Sequence, residues 1–356
     1  MKAYSKHVCE QFKIDSEINS VAELNSGYIN DTYLATTVSG TQYVLQRINT
    51  TVFKDVENII ANKVLISKHL SNSKTKYKTV RFIKTLDKKY FYKDTHSNYW
   101  NLMTFIPNSI THDVATNSRL VEEAGKLYGD FIIQSVDFDM EKLIETLPGF
   151  HSIPLRYQQF EEALKNAKEE TKKSAKDEIE YIINCREEMH GLSQLKNNNE
   201  LPIRVTHNDA KLSNILFDKN DKGLAVIDLD TVMPGIVAFD FGDSIRSICT
   251  TTVEDDTNLK ATRINLELYE AFCKGFGTTT KHILTPTEIK SLPLGAKTIT
   301  FIMGLRFLTD YLNDNIYYKV DYKTHNLVRA KNQFKLVKTI QENYKAIQQI
   351  TETVFT

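Results

Sequence analysis

His207, Asp209 and Asn214 stand as H-x-D-x-x-x-x-N, and Asp228 follows at the end of the apolar run Ala225-Val226-Ile227. Phosphoryl transfer needs a carboxylate that accepts or orients the proton of the attacking group. It also needs an amide and a second carboxylate that hold Mg²⁺ against the phosphates of ATP. These groups occur here in that order. Asp209 is the candidate base, and Asn214 and Asp228 are the candidate metal ligands. Lys211 either faces the transferring phosphoryl group and offsets charge there or is a solvent-exposed lysine. Asp230 lies beside Asp228, placed for a second Mg²⁺ or for the substrate. His207 reads as a brace of the loop rather than a reacting group. Asp240 and Asp243 read as acceptors of backbone N–H bonds that hold the loop.

These residues need elements to bring them together. Ile215-Leu216-Phe217 and Leu224-Ala225-Val226-Ile227 are apolar runs flanking a polar loop that contains Gly223, which predicts a hairpin. Pairing them sets Asn214 beside Asp228. Upstream, residues to about Ser20 read as a short polar helix. Alternating runs then predict strands at Val21–Leu24, Asp31–Ala35 and Thr41–Leu45, with turns at Ser26-Gly27 and Ser39-Gly40. Asp55 to Leu70 has helical periodicity, and Val80–Ile83, Tyr90–Tyr92 and Tyr99–Ile106 complete a sheet of about five strands. Helices are expected over Ser118–Ile133, Arg156–Met189, Asn265–Phe276, Lys297–Leu312 and Gln333–Ile350, the charge run KEETKKSAKDE being a solvated helical face. Strands first and helices afterwards define an α+β protein of two parts: residues 1–106 around a sheet and 107–356 mainly helical.

Composition narrows the classes. The 356 residues hold 45 Lys+Arg and 45 Asp+Glu, a formal net charge of zero, without the basic excess of nucleic-acid binders. Four widely spaced cysteines, Cys9, Cys185, Cys249 and Cys273, read as reduced thiols in a cytoplasmic protein. No 18-residue apolar run suggests a membrane span, and a monomer is compatible with all of this.

The segments HNDAKLSNILFD, VIDLDTVMPG, FDFGDSIR and GLRFLTDYL resemble the aminoglycoside phosphotransferase/choline kinase family of protein-kinase-like folds, and within it the N-acetylhexosamine 1-kinases. The resemblance extends over most of the chain. It implies a bilobal kinase-like fold, an N-terminal antiparallel sheet lobe for ATP and a larger helical lobe for the acceptor. It also implies Mg²⁺ as cofactor and transfer to the anomeric hydroxyl of N-acetylglucosamine or N-acetylgalactosamine. In such a lobe the segment from Asn25 to Asp31 lies over the phosphates, which brings in Asn30 and Thr32. The strand YVLQRIN carries the phosphate cation. Here the usual lysine position falls on Gln46, with Arg47, on the opposite face, as the alternative or simply a surface arginine beside a buried glutamine; Glu57 is placed either to partner a strand cation or as an exposed glutamate. Met103 to Ile106, with Met103 and Phe105, would meet adenine. Arg306 and Tyr317 or Tyr318 resemble sugar contacts. On residues alone, Arg306 and Asp310 at i,i+4 read first as a surface ion pair, an order that the resemblance reverses, and His151 and Arg156 have no assigned role. Two other readings compete. One is a kinase for a cationic acceptor such as choline or an aminoglycoside, which would require carboxylates or an aromatic cage. The other is a non-catalytic ATP-binding protein.

Overall fold

The computed structural model describes residues 2–24 and 29–356. After α1 (Lys2–Cys9), strands β1 (Ile18–Leu24), β2 (Asp31–Thr37) and β3 (Gln42–Ile48) follow antiparallel. Helix α2 (Val56–Asn72) precedes β4 (Tyr92–Lys93) and β5 (Tyr99–Thr104), giving a sheet of order β1-β2-β3-β5-β4. The turn expected at Ser26-Gly27 lies outside the described residues. Alternation along β3 explains the packing. Tyr43 and Leu45 face the core built on Val8, Phe12 and Trp100, whereas Ile48 faces Ile59, Ile60 and Val64 of α2. The expected strand at Val80–Ile83 is a single bridge between Phe82 and Met103.

The remainder is mainly helical: α3 (Ser118–Gln134), α4 (Ile153–Asn166), α5 (Glu169–Ser174), α6 (Lys176–Asn184), α7 (Arg186–Met189) and α8 (Gly191–Asn197). The expected continuous stretch from Arg156 to Met189 is thus broken, with Ala167, Ala175 and Cys185 at the junctions. Two small antiparallel pairs follow. β6 (Arg204–Thr206) pairs with β9 (Met233–Gly235), and β7 (Ile215–Phe217) pairs with β8 (Gly223–Val226) in the expected hairpin, Ile215 opposite Val226. Helices α9 (Val237–Ile248), α10 (Leu266–Thr280), α11 (Pro286–Leu312), α12 (His325–Glu342) and α13 (Tyr344–Phe355) close the chain. The helix expected over Gln333–Ile350 is two, joined at Asn343. Among the described residues no helix is long and apolar enough to cross a membrane, and the four cysteines are unbridged and buried.

Helix α11 is the beam of this part. Its first turn is a capping box in which Thr285 and Glu288 satisfy each other's backbone N–H groups. The Glu288 carboxylate also accepts from Arg204 of β6 at 2.6 and 2.9 Å, fixing the strand that leads into the H-x-D loop. Two turns on, α11 meets α9 backbone to backbone. A Cβ at Gly242 would strike the Gly295 carbonyl, and one at Gly295 would strike the Ala238 carbonyl. Gly242→Ala is therefore expected to cost about 1–3 kcal/mol by overpacking. A thermal melt with an unchanged midpoint would show that the helices yield freely there.

Candidate functional site

Strand β6 delivers the chain into the loop, and α9 holds it. The Asp240 carboxylate accepts the N–H groups of His207 and Asn208, both at 2.7 Å. Burial pushes Asp240 up to about 6, against the two N–H bonds and His207, which favour its ionised form. Asn208, at φ 63°, turns the backbone and donates to Thr206 O and Thr231 O. His207 is fully buried against Tyr128 and Phe131, and its Nε2 meets the Ile227 carbonyl at 2.9 Å. This imidazole ties the loop to the end of the hairpin, adjacent to Asp228. Asp243 behaves differently from the expectation. Its Oδ1 accepts from Arg246 at 2.8 and 3.0 Å rather than from loop N–H groups. Ser244 Oγ supplies the loop bond instead, donating to Ala210 O at 2.8 Å.

Asp209 Oδ2 receives Asn214 Nδ2 at 2.8 Å and Lys211 Nζ at 2.9 Å. Burial alone would raise its pKa, but Lys211, His207 and Asn214 outweigh that and hold it below the usual carboxylate range. Lys211 is correspondingly raised: burial opposes its charge, and Asp209 and Asp228 more than offset this. Ile227 N–H bonds the Asn214 carbonyl at 2.9 Å, so the hairpin does set Asn214 beside Asp228. Asp228 adopts a left-handed conformation, φ 61°, and is exposed. The surrounding protein and then the like charges of Asp230 and Asp209 push its pKa up. Crowded carboxylates of one sign, beside an amide whose nitrogen is already engaged and whose oxygen remains, fit a hard divalent cation. Among the described residues no three His, Cys, Asp or Glu side chains gather to hold an ion by themselves. Phosphate and water oxygens would have to complete the shell, as Mg²⁺ commonly requires.

The sheet side shows the departure that sequence reasoning missed. Gln46 points inward and Arg47 outward, where Arg47 pairs with Asp31 and lies over Trp100. Glu57 stays at the surface near the Tyr99 hydroxyl at 3.3 Å. The inward cation comes from α2: Lys63 is 1 % exposed, with Nζ 2.9 Å from Gln46 Oε1 and ion-paired with Asp230. A signal existed, because Lys63 occupies the buried stripe of α2 with Val56, Ile59, Ile60, Ser67 and Leu70. Asn30 donates to the other oxygen of Asp230 and accepts from Asn49 N–H at 2.9 Å. Asp230 is therefore tied to α2 and to the residue before β2. Thr32 pairs with Gln46 across β2 and β3. Met103 packs in an apolar cluster with Val80, Ile106, Ala225 and Ile227. The N–H groups of Thr104 and Phe105, expected at the adenine edge, are already bonded to Arg81 O and Gln42 O.

On the helical side, Arg306 of α11 makes no ion pair with Asp310. The Asp310 carboxylate instead receives the N–H groups of Tyr317 and Tyr318 at 2.8 and 3.0 Å and Asn326 Nδ2 at 2.8 Å, which folds the segment after α11 back over it. Arg306 lies against rings, with its guanidinium 4.9 Å from Phe150, 5.5 Å from Tyr318 and 5.7 Å from Tyr317. Its one polar contact among the described residues is Met303 Sδ at 3.6 Å. Burial opposes its charge, and Tyr318, then Tyr317 and Asp209, more than offset this and raise its pKa. Arg156 and His151 gain a place: Arg156 donates to the Phe150 carbonyl at 2.6 and 3.2 Å, and His151 packs between Phe150 and Phe239. Burial, then Arg306 and Arg156, drive the His151 pKa down to about 3, so the ring is neutral near pH 7.

A two-part molecule with a sheet above a helical base, and an H-x-D loop facing an amide–carboxylate hairpin, defines the class. The chain belongs to the phosphotransferase enzyme family, whose model matches residues 20–274. The fold is shared with the aminoglycoside phosphotransferase from Alicyclobacillus acidocaldarius: TM-score 0.60, 13% identity, covering 98% of this chain and 96% of that one. It is equally shared with the choline kinase from Cryptosporidium parvum, at TM-score 0.60 and 13% identity over 99% of both chains. A microcompartment-associated aminopropanol kinase gives TM-score 0.60 and 13% identity over 97% of this chain and 98% of that one. The chain is thus a member of a family of small-molecule kinases with the protein-kinase-like fold.

Proposed function

We propose that this protein transfers the γ-phosphoryl group of ATP to the anomeric hydroxyl of an N-acetylhexosamine, giving the hexosamine 1-phosphate. The observation that carries the acceptor side is Arg306, seated among Phe150, Tyr317 and Tyr318 with no carboxylate ion-paired to it among the described residues. With Arg156 close by, this wall is cationic. It repels an aminoglycoside or choline and offers donors and flat apolar surface to a neutral, hydroxyl-rich ring. The resemblance of GLRFLTDYL to the N-acetylhexosamine 1-kinases supplies the particular sugar.

Asp209 orients the acceptor hydroxyl. A carboxylate held below its usual range by Lys211 is a weak base, which suits a loose transition state whose proton leaves late. Lys211 offsets charge on the moving group. Asn214 and Asp228 are the residues that would hold Mg²⁺, whose chemistry there is to neutralise charge on the β- and γ-phosphates. The apolar cluster that Met103 and Ile106 join would border the adenine.

ADP release with MgATP tests the reading against N-acetylglucosamine, N-acetylgalactosamine, choline, ethanolamine and an aminoglycoside. Turnover is expected with the two acetylated sugars. Their methyl glycosides, with O1 blocked, should give none. Phosphorylation of a methyl glycoside would place the phosphate on another hydroxyl, and turnover confined to the amines would remove the sugar reading altogether.

A further inference from the structure

We propose that Lys63, carried by helix α2, is the cation that holds the α- and β-phosphates of the nucleotide, with Asp230 as its counter-charge and Gln46 steering it from the strand. This rests on the ATP-dependent reading above. In protein kinases the lysine is on the third strand and its acidic partner on the following helix. Here the strand position is Gln46 and the helix provides the lysine, so the two roles are transposed. The ammonium nonetheless reaches the end of the strand side chain: Lys63 Nζ lies 2.9 Å from Gln46 Oε1. A lysine rooted at position 46 would put its charge in the same neighbourhood.

Three elements converge on that charge. β3 brings Gln46, the turn after Asp228 brings Asp230, and the residue before β2 brings Asn30, bonded to Asp230. Asp230 stands two residues after Asp228, so phosphates at a cation between Asn214 and Asp228 would lie near this group. A lysine ammonium has three donors; Gln46 and Asp230 take two, the Phe82 ring lies 5.5 Å away, and the third donor is the one a phosphate oxygen would take. Arg47 does not compete, since it faces the other side of the sheet and pairs with Asp31. Lys211 is engaged at Asp209. A purely structural pin between α2 and residue 230 is the competing account. It gains little from a charge, because desolvating an ammonium and a carboxylate consumes most of what their attraction returns, and well-packed apolar side chains serve such a role as well.

The test compares binding of MgADP and adenosine, which differ in the phosphates, by titration calorimetry on wild type, Lys63→Met and the transposed Gln46→Lys/Lys63→Gln double variant. Wild type is expected to prefer MgADP. Lys63→Met should lose that preference by about tenfold or more, as expected for one charge-assisted contact, with adenosine affinity unchanged. The double variant, which keeps a lysine near Asp230, should regain the preference, and it carries the test if Lys63→Met fails to fold. A single variant that keeps the wild-type ratio, or weakens both ligands equally, overturns the phosphate role, as does a folded double variant without the preference. A wild type that binds both ligands alike removes the ATP reading itself, and this one with it.

Discussion

Asp209→Ala should lower kcat roughly 10²–10⁴-fold, the range lost when a positioned acid–base group is removed, while MgADP affinity stays within a few-fold of wild type. The reason is local. Asp209 Oδ2 gathers the Lys211 ammonium and the Asn214 amide, so its charge is fixed where the acceptor hydroxyl must lie. Removing the side chain also frees those two groups, and the alanine variant alone mixes loss of the acceptor with loss of order. Asp209→Asn separates them. It keeps the size and one oxygen, but an amide cannot take the proton. Both variants are expected to fall in the same range by single-turnover ADP release. An asparagine variant retaining most of the wild-type rate would leave Asp209 a structural post and move the base elsewhere.

The second large effect is expected on the acceptor side. Arg306→Ala should reduce kcat/KM for the hexosamine roughly 10–100-fold, since a polar group left unpaired in the bound site costs on the order of 1–3 kcal/mol. The KM for ATP should stay near wild type, because Arg306 stands among Phe150, Tyr317 and Tyr318, away from the sheet side. Arg306→Lys is informative as well. It keeps the charge but loses the planar fork that hydrogen-bonds at several points, and should recover only part of the loss. Equal damage to both substrates' KM values would mean that the side chain props up the whole cleft and does not recognise the sugar.

What was legible in the sequence was local. The loop from His207 to Asn214 and the hairpin from Ile215 to Ile227 span about twenty residues, and spacing alone orders their chemistry. Alternation and periodicity likewise pointed to β1, β2, β3, β5, α2 and α3, because each pattern is a property of one element, whereas the strand expected at Val80–Ile83 is one bridge. Contacts between distant segments were not legible. Lys63 meets Gln46 and Asp230, so its role depends on how α2 docks. Glu57 looked equally placed until the docking showed its face turned outward. Asp310 could pair with Arg306 by helical spacing, yet the chain after α11 folds back and supplies three better donors. Helix ends were also uncertain, as the break at Asn343 shows: polar and apolar residues continue the period across it while the backbone does not.

The 27 residues of α11 run about 40 Å at 1.5 Å each. The Glu288 carboxylate at one end and the Gly295 crossing, which hold β6 and α9, lie in its first half. Arg306 is in the second half, which is packed on its other side through Phe301, Leu305 and Leu308 and at Gly304 against Phe334 of α12. Only the few side chains of these turns that face the cleft, and the tyrosine segment folded onto them, are open to change, because the rest of the same turns is core. On the proposed reading, one helix carries both the brace of the reacting loop and, three turns past Gly295, the group that meets the acceptor. A change of acceptor then becomes a matter of a few neighbouring codons rather than a new active site.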